Sequence, residues 1–132
     1  MRKLTLILTT LIFSLMFSSS TSFAGWTGVS ENVDGDTFYV DFERIKKHDG
    51  YVYYWVLSDY LKPLLGDLSA KAYYQGDCKK FRYKYLSDSY HKGQMGGGEI
   101  SLTSNTPDKD WNYPPPDSST EIVLKVVCQY TR

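Results

Sequence analysis

Cys78 and Cys128 are the only cysteines of the 132-residue chain, which opens with the pattern of an export signal. Because cysteines in an oxidising compartment usually pair, the sequence predicts one disulfide between them. It would close a loop of about 50 residues and remove about 4 kcal/mol of denatured-chain entropy. No Cys-x-x-Cys pair occurs, and His48 and His91 lack ligand spacing to either cysteine, so a metal site or a redox thiol is disfavoured.

The N-terminus has the three parts of a cleaved secretory signal. Arg2 and Lys3 give a positive start, residues 4–17 are apolar apart from Thr and Ser, and Ser22-Phe23-Ala24 is a small-x-small cleavage pattern. An uncleaved anchor is the alternative, but the apolar run is shorter than the roughly 20 residues that cross a bilayer. We expect residues 1–24 to be removed, which leaves residues 25–132 as a single domain without stable membrane insertion.

Composition limits both the partners and the fold of this domain. Of 15 basic and 15 acidic residues, Arg2 and Lys3 fall in the signal, so the remaining chain is slightly acidic. The electrostatic field of a domain with so little net charge does not steer it to nucleic acid or to an anionic membrane. Twelve tyrosines, three tryptophans and six phenylalanines favour strands, because aromatic rings pack well on a pleated surface. A mainly β domain is expected.

Alternating side chains predict antiparallel strands in the first half of the domain. Residues 26–31 and 37–42 flank residues 32–36 (NVDGD), whose Asp-Gly pair permits the positive φ of a hairpin turn. In residues 37–42, Phe and Val side chains occupy every second position and so share one face, which is typical of a half-buried strand. Residues 51–60 carry bulky side chains on both faces, which indicates a central strand covered on both sides.

Turn signals divide the rest of the sheet region. Pro63 and Gly66 predict a loop, and Gly76-Asp77 predicts a turn just before the first cysteine. Residues 81–85 alternate aromatic and basic side chains, which predicts a strand with one face in water. Residues 96–98 (GGG) predict a flexible connection to the next strand.

The last segment carries competing signals. The valines of residues 122–127 favour a strand by propensity. Ser118 and Glu121, however, form a capping box just after a proline run, and the apolar residues that follow fall on one helical arc. We expect a helix that lies on the sheet, with Cys128 near its end bonded to Cys78.

The turn at residues 32–36 is the best candidate for chemistry. Asp34 and Asp36 place carboxylates at alternate positions, which suits a hard cation, and with His48 they suggest a small periplasmic hydrolase or a metal-dependent enzyme. A hairpin turn explains the same residues without a ligand. His48 and His91 lie in polar stretches without an adjacent nucleophile, which predicts surface histidines. We therefore expect no catalytic residues, no metal and no cofactor.

Basic residues interleave with aromatic residues between positions 79 and 85. This pattern is typical of a solvated sheet face, and its functional alternative is a face that binds an acidic protein segment or a glycan. Exposed tryptophans near a chain end or in a loop are common interface anchors. The candidate binding face consists of Trp26, Lys80, Arg82, Lys84 and Trp111.

A series of landmarks runs through the whole domain. The most specific are Trp111, Pro116-x-Ser118 and Val127-Cys128. The others are Trp26, Tyr39-Val40-Asp41, Ile45, Trp55 within residues 52–60, Ser69, Asp77-Cys78, Arg82, Tyr90 and residues 96–98. In these positions the chain resembles the surface-adhesin protein E family of small exported bacterial proteins.

The resemblance implies an α+β fold, a twisted antiparallel sheet of about six strands with a C-terminal helix packed on one face and tied by the disulfide. The export signal, the disulfide-tied sheet and the lack of a catalytic constellation predict a non-enzymatic binding module of the bacterial envelope with a protein or glycan partner. The resemblance also implies a homodimer through residues 26–31, whose backbone groups would be unpaired at a sheet edge. Ala24-Gly25-Trp26 stands where a lipid-anchored relative has a cysteine, so a periplasmic or secreted protein is expected.

Overall fold

The computed structural model describes residues 25–132, so the predicted export signal lies outside the described residues. Seven strands of this part pair in one antiparallel sheet, and two single-turn 3-10 helices lie between them, at Phe42–Arg44 and Gln94–Gly96. The strands are β1 (Trp26–Glu31), β2 (Thr37–Asp41), β3 (Lys46–His48), β4 (Tyr51–Leu64), β5 (Asp67–Asp77), β6 (Arg82–His91) and β7 (Ile100–Ser104). One helix, α1 (Ser119–Tyr130), follows them.

The longest strand, β4, organises the sheet. The spatial order is β1-β2-β4-β5-β6-β7, and the short β3 pairs with the beginning of β4. β2 pairs with the stretch of β4 from Val56 to Asp59, while β5 pairs along the other side of β4. The predicted sheet of about six strands and the central position of residues 51–60 are confirmed, but the predicted cover on both faces of this strand is not. The sheet is open, with β1 and β7 at its outer ends.

The C-terminal helix begins where the capping signal predicts. Ser118 is the N-cap, and its hydroxyl accepts a hydrogen bond from the backbone N–H of Glu121 at 3.1 Å. The Glu121 carboxylate accepts from the backbone N–H of Asp117 at 3.2 Å, so two donors at the helix start are satisfied. The segment forms a helix despite the strand propensity of its valines, because Val123 and Val127, four residues apart, lie on one side of the helix and are buried against the sheet.

The hydrophobic core lies between α1 and one face of the sheet. Its buried members are Val40, Val52, Tyr54, Val56, Tyr74, Val123, Leu124 and Val127. Gly76 of β5 is required at the centre of this contact. A Cβ atom there would lie 2.9 Å from Leu124 Cδ1 and 2.9 Å from Val52 Cγ2, so only glycine lets the helix sit this close to the strand.

Cys78 and Cys128 form the predicted disulfide, with their Cα atoms 5.7 Å apart. Cys78 follows the end of β5, and Cys128 lies in the last turns of α1. Both cysteines pack against the core, so the bridge fastens the helix at the same place where Leu124 meets Gly76.

Two turn predictions in the sheet are wrong. β4 continues through Pro63 to Leu64. The regular pairing with β5 is interrupted between Asp59 and Leu64, so no inter-strand hydrogen bond at this position needs the N–H group that proline lacks. The reversal is instead made by Leu65 and Gly66, both at positive φ. Gly76-Asp77 belongs to β5, where small size at position 76 serves packing rather than a turn.

The predicted flexible connection at residues 96–98 is also wrong. The backbone N–H groups of Met95 and Gly96 donate to Asp59 Oδ1 at 2.7 Å and to Ser69 Oγ at 2.8 Å. Ser69 Oγ in turn donates to the carbonyl of Gly93 at 2.6 Å. The glycines supply positive φ and close backbone approach, so they dock the loop on the sheet face opposite α1.

Replacement of both cysteines by serine (Cys78→Ser with Cys128→Ser) is expected to lower the free energy of unfolding by about 4 kcal/mol, because the denatured chain regains the freedom of a 50-residue loop. Urea denaturation followed by circular dichroism measures the change. The wild-type protein in excess reductant should match the variant. An unchanged midpoint in both would contradict a stabilising role for the bridge.

Candidate functional site

One sheet face is left uncovered by the helix and carries a row of aromatic rings. Paired residues of antiparallel strands share a face, so alternate residues of β4 and β5 point away from α1. The ring centroids of Trp55 and Tyr73 are 4.7 Å apart, and those of Tyr53 and Tyr73 are 6.3 Å apart. All of these side chains remain partly exposed. We call the surface formed by Tyr51, Tyr53, Trp55, Tyr73 and Trp111 the aromatic face.

Trp111 reaches this face from the segment between β7 and α1. Its ring centroid lies 5.3 Å from that of Tyr51, 4.3 Å from Arg82 Cζ and 4.9 Å from Lys84 Nζ. The next residue, Asn112, exchanges two backbone hydrogen bonds with Tyr83, at 2.8 and 2.9 Å. The loop is therefore pinned to the edge of β6, and the tryptophan is held against a neighbouring ring and two cations.

Arg82 is oriented by a partly buried ion pair. Its Nε donates to Asp77 Oδ2 at 2.9 Å, and the two side chains are 16% and 8% exposed. Asp77 Oδ1 also accepts the backbone N–H groups of Lys79 and Lys80. Burial on its own would raise the pKa of Asp77, but the hydrogen bonds from Arg82, Lys80 and Lys79 outweigh it and lower that pKa. The charge of Arg82 is thus compensated within the protein, and its guanidinium positions Trp111.

Lysines supply the uncompensated charge around the aromatic face. Lys84 Nζ donates to the carbonyl of Lys109 at 3.1 Å, and Lys71 lays its aliphatic stem over Gly96. Lys80 is exposed in the turn between β5 and β6. In residues 25–132, none of Lys71, Lys80 and Lys84 forms a salt bridge. The face therefore combines aromatic area with lysines that no salt bridge of the described residues engages.

The structure brings together three of the five predicted face residues, namely Arg82, Lys84 and Trp111. Lys80 lies in the adjoining turn. Trp26 shares the same sheet face by register but stands on β1, with β2 between it and β4. Whether these residues bind a partner stays a prediction.

Sequence reasoning missed the rest of the aromatic face. Tyr51, Tyr53 and Trp55 occupy alternate positions of one strand, and that alternation was the available signal. They were assigned to a face covered by other elements. α1 covers only the opposite face of this stretch, so these rings stay partly exposed instead of forming a second core.

The Asp34, Asp36 and His48 neighbourhood does not converge. Asp36 Oδ1 accepts the backbone N–H of Leu61 at 3.0 Å, near the end of β4, and Asp36 Oδ2 accepts from Asn32 at 3.1 Å. His48 lies at the hairpin before Tyr51, at the other end of β4, so roughly 30 Å of strand separates the two turns. Asp36 ties the first hairpin to β4, which is a structural use of its carboxylate.

His91 is buried, at 5% exposure, so its prediction as a surface residue is wrong. β6 extends to this position, and the docked loop of residues 92–99 lies next to it. Ser89 Oγ lies 2.8 Å from His91 Nε2, while His91 Nδ1 has no hydrogen-bond partner in residues 25–132. Burial and the charge of Lys71 lower the pKa of His91, against the opposing effect of Asp67. No described carboxylate orients the imidazole as a catalytic base would require.

A broad groove of about 770 Å³ runs beside the disulfide, between the β3–β4 hairpin and the end of α1. Lys47, Lys79, Lys125 and Arg132 are among its lining residues, and Lys47 Nζ donates to the carbonyl of Thr131 at 2.8 Å. It is open, and Asp49 and Glu121 line it together with these cations. The aromatic face is the better candidate site, because its rings contact one another in tilted pairs and Trp111 lies against Arg82, which an ion pair holds.

Two further features of residues 25–132 bear on the kind of site. No group of three or more histidine, cysteine, aspartate or glutamate side chains is arranged there to hold a metal ion. Within the same span, α1 is too short and polar to cross a membrane, and no longer apolar helix is found.

The fold and the site define a class of small, disulfide-tied domains in which a single helix covers one face of an antiparallel sheet and leaves the other open. Residues 26–129 match the family described as Surface-adhesin protein E. The chain belongs to this family and is an adhesin-like surface protein. No match was found among curated proteins.

Solved structures support the same fold. Crystal form II of Haemophilus influenzae protein E is 16% identical, with a TM-score of 0.64 over 85% of this chain and 94% of that one. A second structure of Haemophilus influenzae protein E gives the same identity and TM-score over 83% and 87%. Protein E from non-typeable Haemophilus influenzae, also 16% identical, has a TM-score of 0.53 over 83% and 79%. At this identity the likeness shows the fold alone.

Asp77→Asn keeps an acceptor for the turn but removes the charge opposite Arg82. The melting temperature at pH 7 is expected to fall by about 5–10 °C. The pKa of Asp77 is lower in the folded state than in the unfolded state. The Asp77 carboxylate therefore contributes its full stabilisation of the fold above the unfolded-state pKa of about 4, and this stabilisation is lost as pH falls through the folded-state pKa. The difference in melting temperature between wild type and variant should therefore disappear in acid. Thermal melts at pH 7 and at low pH measure this difference.

Asp49→Asn is the matched control, since Asp49 is an exposed hairpin residue and the substitution removes the same charge. It should leave the melting temperature at pH 7 nearly unchanged. If the difference in melting temperature between wild type and Asp77→Asn is equally large at both pH values, the ion pair is not its source.

Proposed function

We propose that the protein is an exported, non-enzymatic envelope module that uses its aromatic face to bind an acidic segment of another protein. The observation that carries this proposal is Trp111, fixed against Tyr51 and two cations on the sheet face that α1 leaves uncovered. Membership of a surface-adhesin family supports a role in recognition.

The aromatic face has the composition of a protein-binding surface. Tryptophan, tyrosine and arginine are the residues most enriched among those that dominate binding energy. Here they are held in place before binding, because Arg82 is fixed by Asp77 and Gln75 Nε2 donates to the Tyr53 hydroxyl at 3.1 Å. Side chains that are already ordered lose little entropy when a partner docks.

Charge specifies the kind of partner. Lys71 and Lys84 lie on the face of the rings and Lys80 lies in the adjoining turn, and none of them forms a salt bridge within residues 25–132, whereas the Asp77 charge is taken up by Arg82. An acidic segment that lies across the rings would gain attraction to all three lysines. A glycan with acidic groups offers similar charge but fewer apolar contacts for five aromatic rings, so a protein segment is the favoured partner.

The sequence and the family together also support a proposed location for the protein. Residues 1–24 form a cleaved export signal, residues 25–132 are the mature domain, and the product is periplasmic or secreted. The small-x-small pattern at residues 22–24, the pairing of both cysteines and the absence of a cysteine at the cleavage point support this proposal.

Trp111→Ala combined with Lys84→Glu is expected to weaken binding by tenfold or more, since it removes the ring that lies against two cations and reverses one of those charges. Residues 25–132 would be immobilised and tested by interferometry against purified extracellular proteins with acidic segments and against heparin as a sulfated glycan. Binding by wild type should also weaken as salt rises.

Lys125→Glu is the control variant, because Lys125 is exposed on α1, on the other side of the sheet. It should bind like wild type. Equal losses in both variants would indicate a general charge effect and contradict the assigned face. Retention of heparin alone would replace the protein partner by a glycan, and no retention of any probe would refute the binding function.

The exposed edge of β1 supports a second proposed contact, with another copy of the chain. Among the described strands β1 pairs only with β2, so its outer backbone groups are free for an antiparallel partner. We expect a dimer at tens of micromolar that dissociates on dilution and is absent when residues 26–31 are deleted. Sedimentation velocity measures this, and a monomer throughout that range would remove the proposal.

A further inference from the structure

Two hairpin turns at one end of the sheet expose aliphatic side chains to water. Leu61, Leu64 and Leu65 of the β4–β5 hairpin are 62%, 53% and 98% exposed, and Val33 of the β1–β2 hairpin is fully exposed. β2 pairs antiparallel with β4, so both turns lie at the same end of the sheet. They are also joined, because Asp36 Oδ1 accepts the backbone N–H of Leu61 at 3.0 Å. We call Val33, Leu61, Leu64 and Leu65 the aliphatic tip.

The fold gives no reason for a leucine at position 65. The two-residue turn between β4 and β5 places Leu65 and Gly66 at positive φ, 51° and 86°. This left-handed region disfavours a leucine, and Asn, Asp or Gly is the usual residue in such a turn. The Leu65 side chain is also almost fully exposed, so it buries no apolar area in return. Within residues 25–132, Leu65 is therefore unfavourable both for its backbone conformation and for its contact with water.

The exposed apolar segment is continuous and contains no acidic residue. Residues 61–66 (LKPLLG) are all exposed, and Lys62 is their only charged member. Three consecutive exposed apolar residues, here residues 63–65, are avoided on the surface of a soluble domain unless they serve a function. Contiguous exposed apolar patches mark sites that contact another protein or a membrane.

The area of the aliphatic tip distinguishes between these two partners. A fully exposed aliphatic side chain presents roughly 100 Å² of apolar area, so the four side chains together present about 300 Å². A stable protein interface takes about 800 Å² from each partner, and its binding energy comes mainly from Trp, Tyr and Arg, none of which is in the tip. A fluid bilayer surrounds a protruding turn of any shape, and its attraction grows with whatever apolar area is inserted. A lipid surface is therefore the favoured partner.

The charges at this end of the sheet specify the kind of lipid. Lys62 stands between the leucines, and its long stem allows the ammonium group to reach lipid phosphates while its neighbours insert. Asp34 and Asp36 of the neighbouring turn carry negative charge and oppose a surface that is itself negative. A zwitterionic bilayer offers phosphates to Lys62 without net repulsion of the two carboxylates.

We propose that the aliphatic tip inserts reversibly into the interface of a zwitterionic lipid bilayer. Leu64 and Leu65 enter the acyl boundary, and Val33 and Leu61 lie at the level of the headgroups. Because β4 is 14 residues long, Tyr51 at its other end is held as far as about 40 Å from the bilayer. The protein thus lies on a membrane without crossing it and presents the Tyr51 end of its aromatic face away from the lipid.

Co-flotation of residues 25–132 with phosphatidylcholine vesicles tests this proposal. Wild type is expected to bind with a partition constant of about 10³ M⁻¹, which is weaker than the about 10⁴ M⁻¹ of a single myristoyl chain. Vesicles that also contain phosphatidylglycerol should bind no more tightly, because Asp34 and Asp36 oppose their charge. No flotation at about 5 mM phosphatidylcholine would overturn the proposal, and so would binding that requires phosphatidylglycerol.

Leu64→Ser combined with Leu65→Asn should weaken vesicle binding at least tenfold, because it removes the two deepest side chains. Its melting temperature should equal or exceed that of wild type, because asparagine suits the positive φ at position 65. Leu102→Ser is the matched control, since Leu102 is 61% exposed on β7, away from both turns, and it should float like wild type. Equal losses in the two variants would contradict the assignment to the tip.

The tip variant also distinguishes a bilayer from other partners. Sedimentation velocity without lipid should show the same association as wild type, and interferometry should show the same binding to acidic protein segments. Loss of association would assign the tip to a second copy of the chain, loss of protein binding would assign it to a protein partner, and either result would overturn the proposal. The Trp111→Ala and Lys84→Glu double variant should float like wild type, so failure of the proposed function leaves this inference intact.

Discussion

The contact between α1 and the middle of β5 is the interaction on which the rest of the structure depends. Leu124 packs over Gly76, where no larger residue fits, and the disulfide joins the same helix to the chain just after β5. Hydrophobic burial and a covalent link therefore act at one place. Because a lone helix covers one face of the sheet, the other face is left to the rings and lysines of the candidate site.

The two faces of the sheet consequently differ in chemistry. On the helix side, tyrosines are buried, and burial raises the pKa of Tyr54 and Tyr74 well above the ordinary value, so both stay neutral. On the other side, rings remain partly exposed and cations gather around Trp111. The same residue type thus serves as buried core on one side of a strand and as partly exposed surface on the other.

Much of the candidate site was predictable, but its assembly was not. The alternation of Phe81 to Tyr85 correctly placed Arg82 and Lys84 on one face, and Trp111 was predicted to lie in a loop. Strand register cannot be obtained from the sequence, so the sequence did not show that Tyr51 contacts the ring of Trp111 or that Asp77 pairs with Arg82. His91 was placed at the surface because the loop that docks beside it is polar and glycine-rich, and such composition does not distinguish a docked loop from a mobile one.

Local chemistry in the sequence determined the elements: period-two alternation for the strands, an Asp-Gly hairpin, the Ser118 cap of α1, and two cysteines that pair in an oxidising compartment. Tertiary structure decided which sheet face the helix covers, how far β4 runs past Pro63, and where the small residues Ala70, Ala72 and Gly76 fall relative to larger neighbours. The division has a physical reason. Elements arise from interactions between residues near in sequence, whereas faces, cavities and charge pairs depend on strand register, which only contacts between distant segments fix.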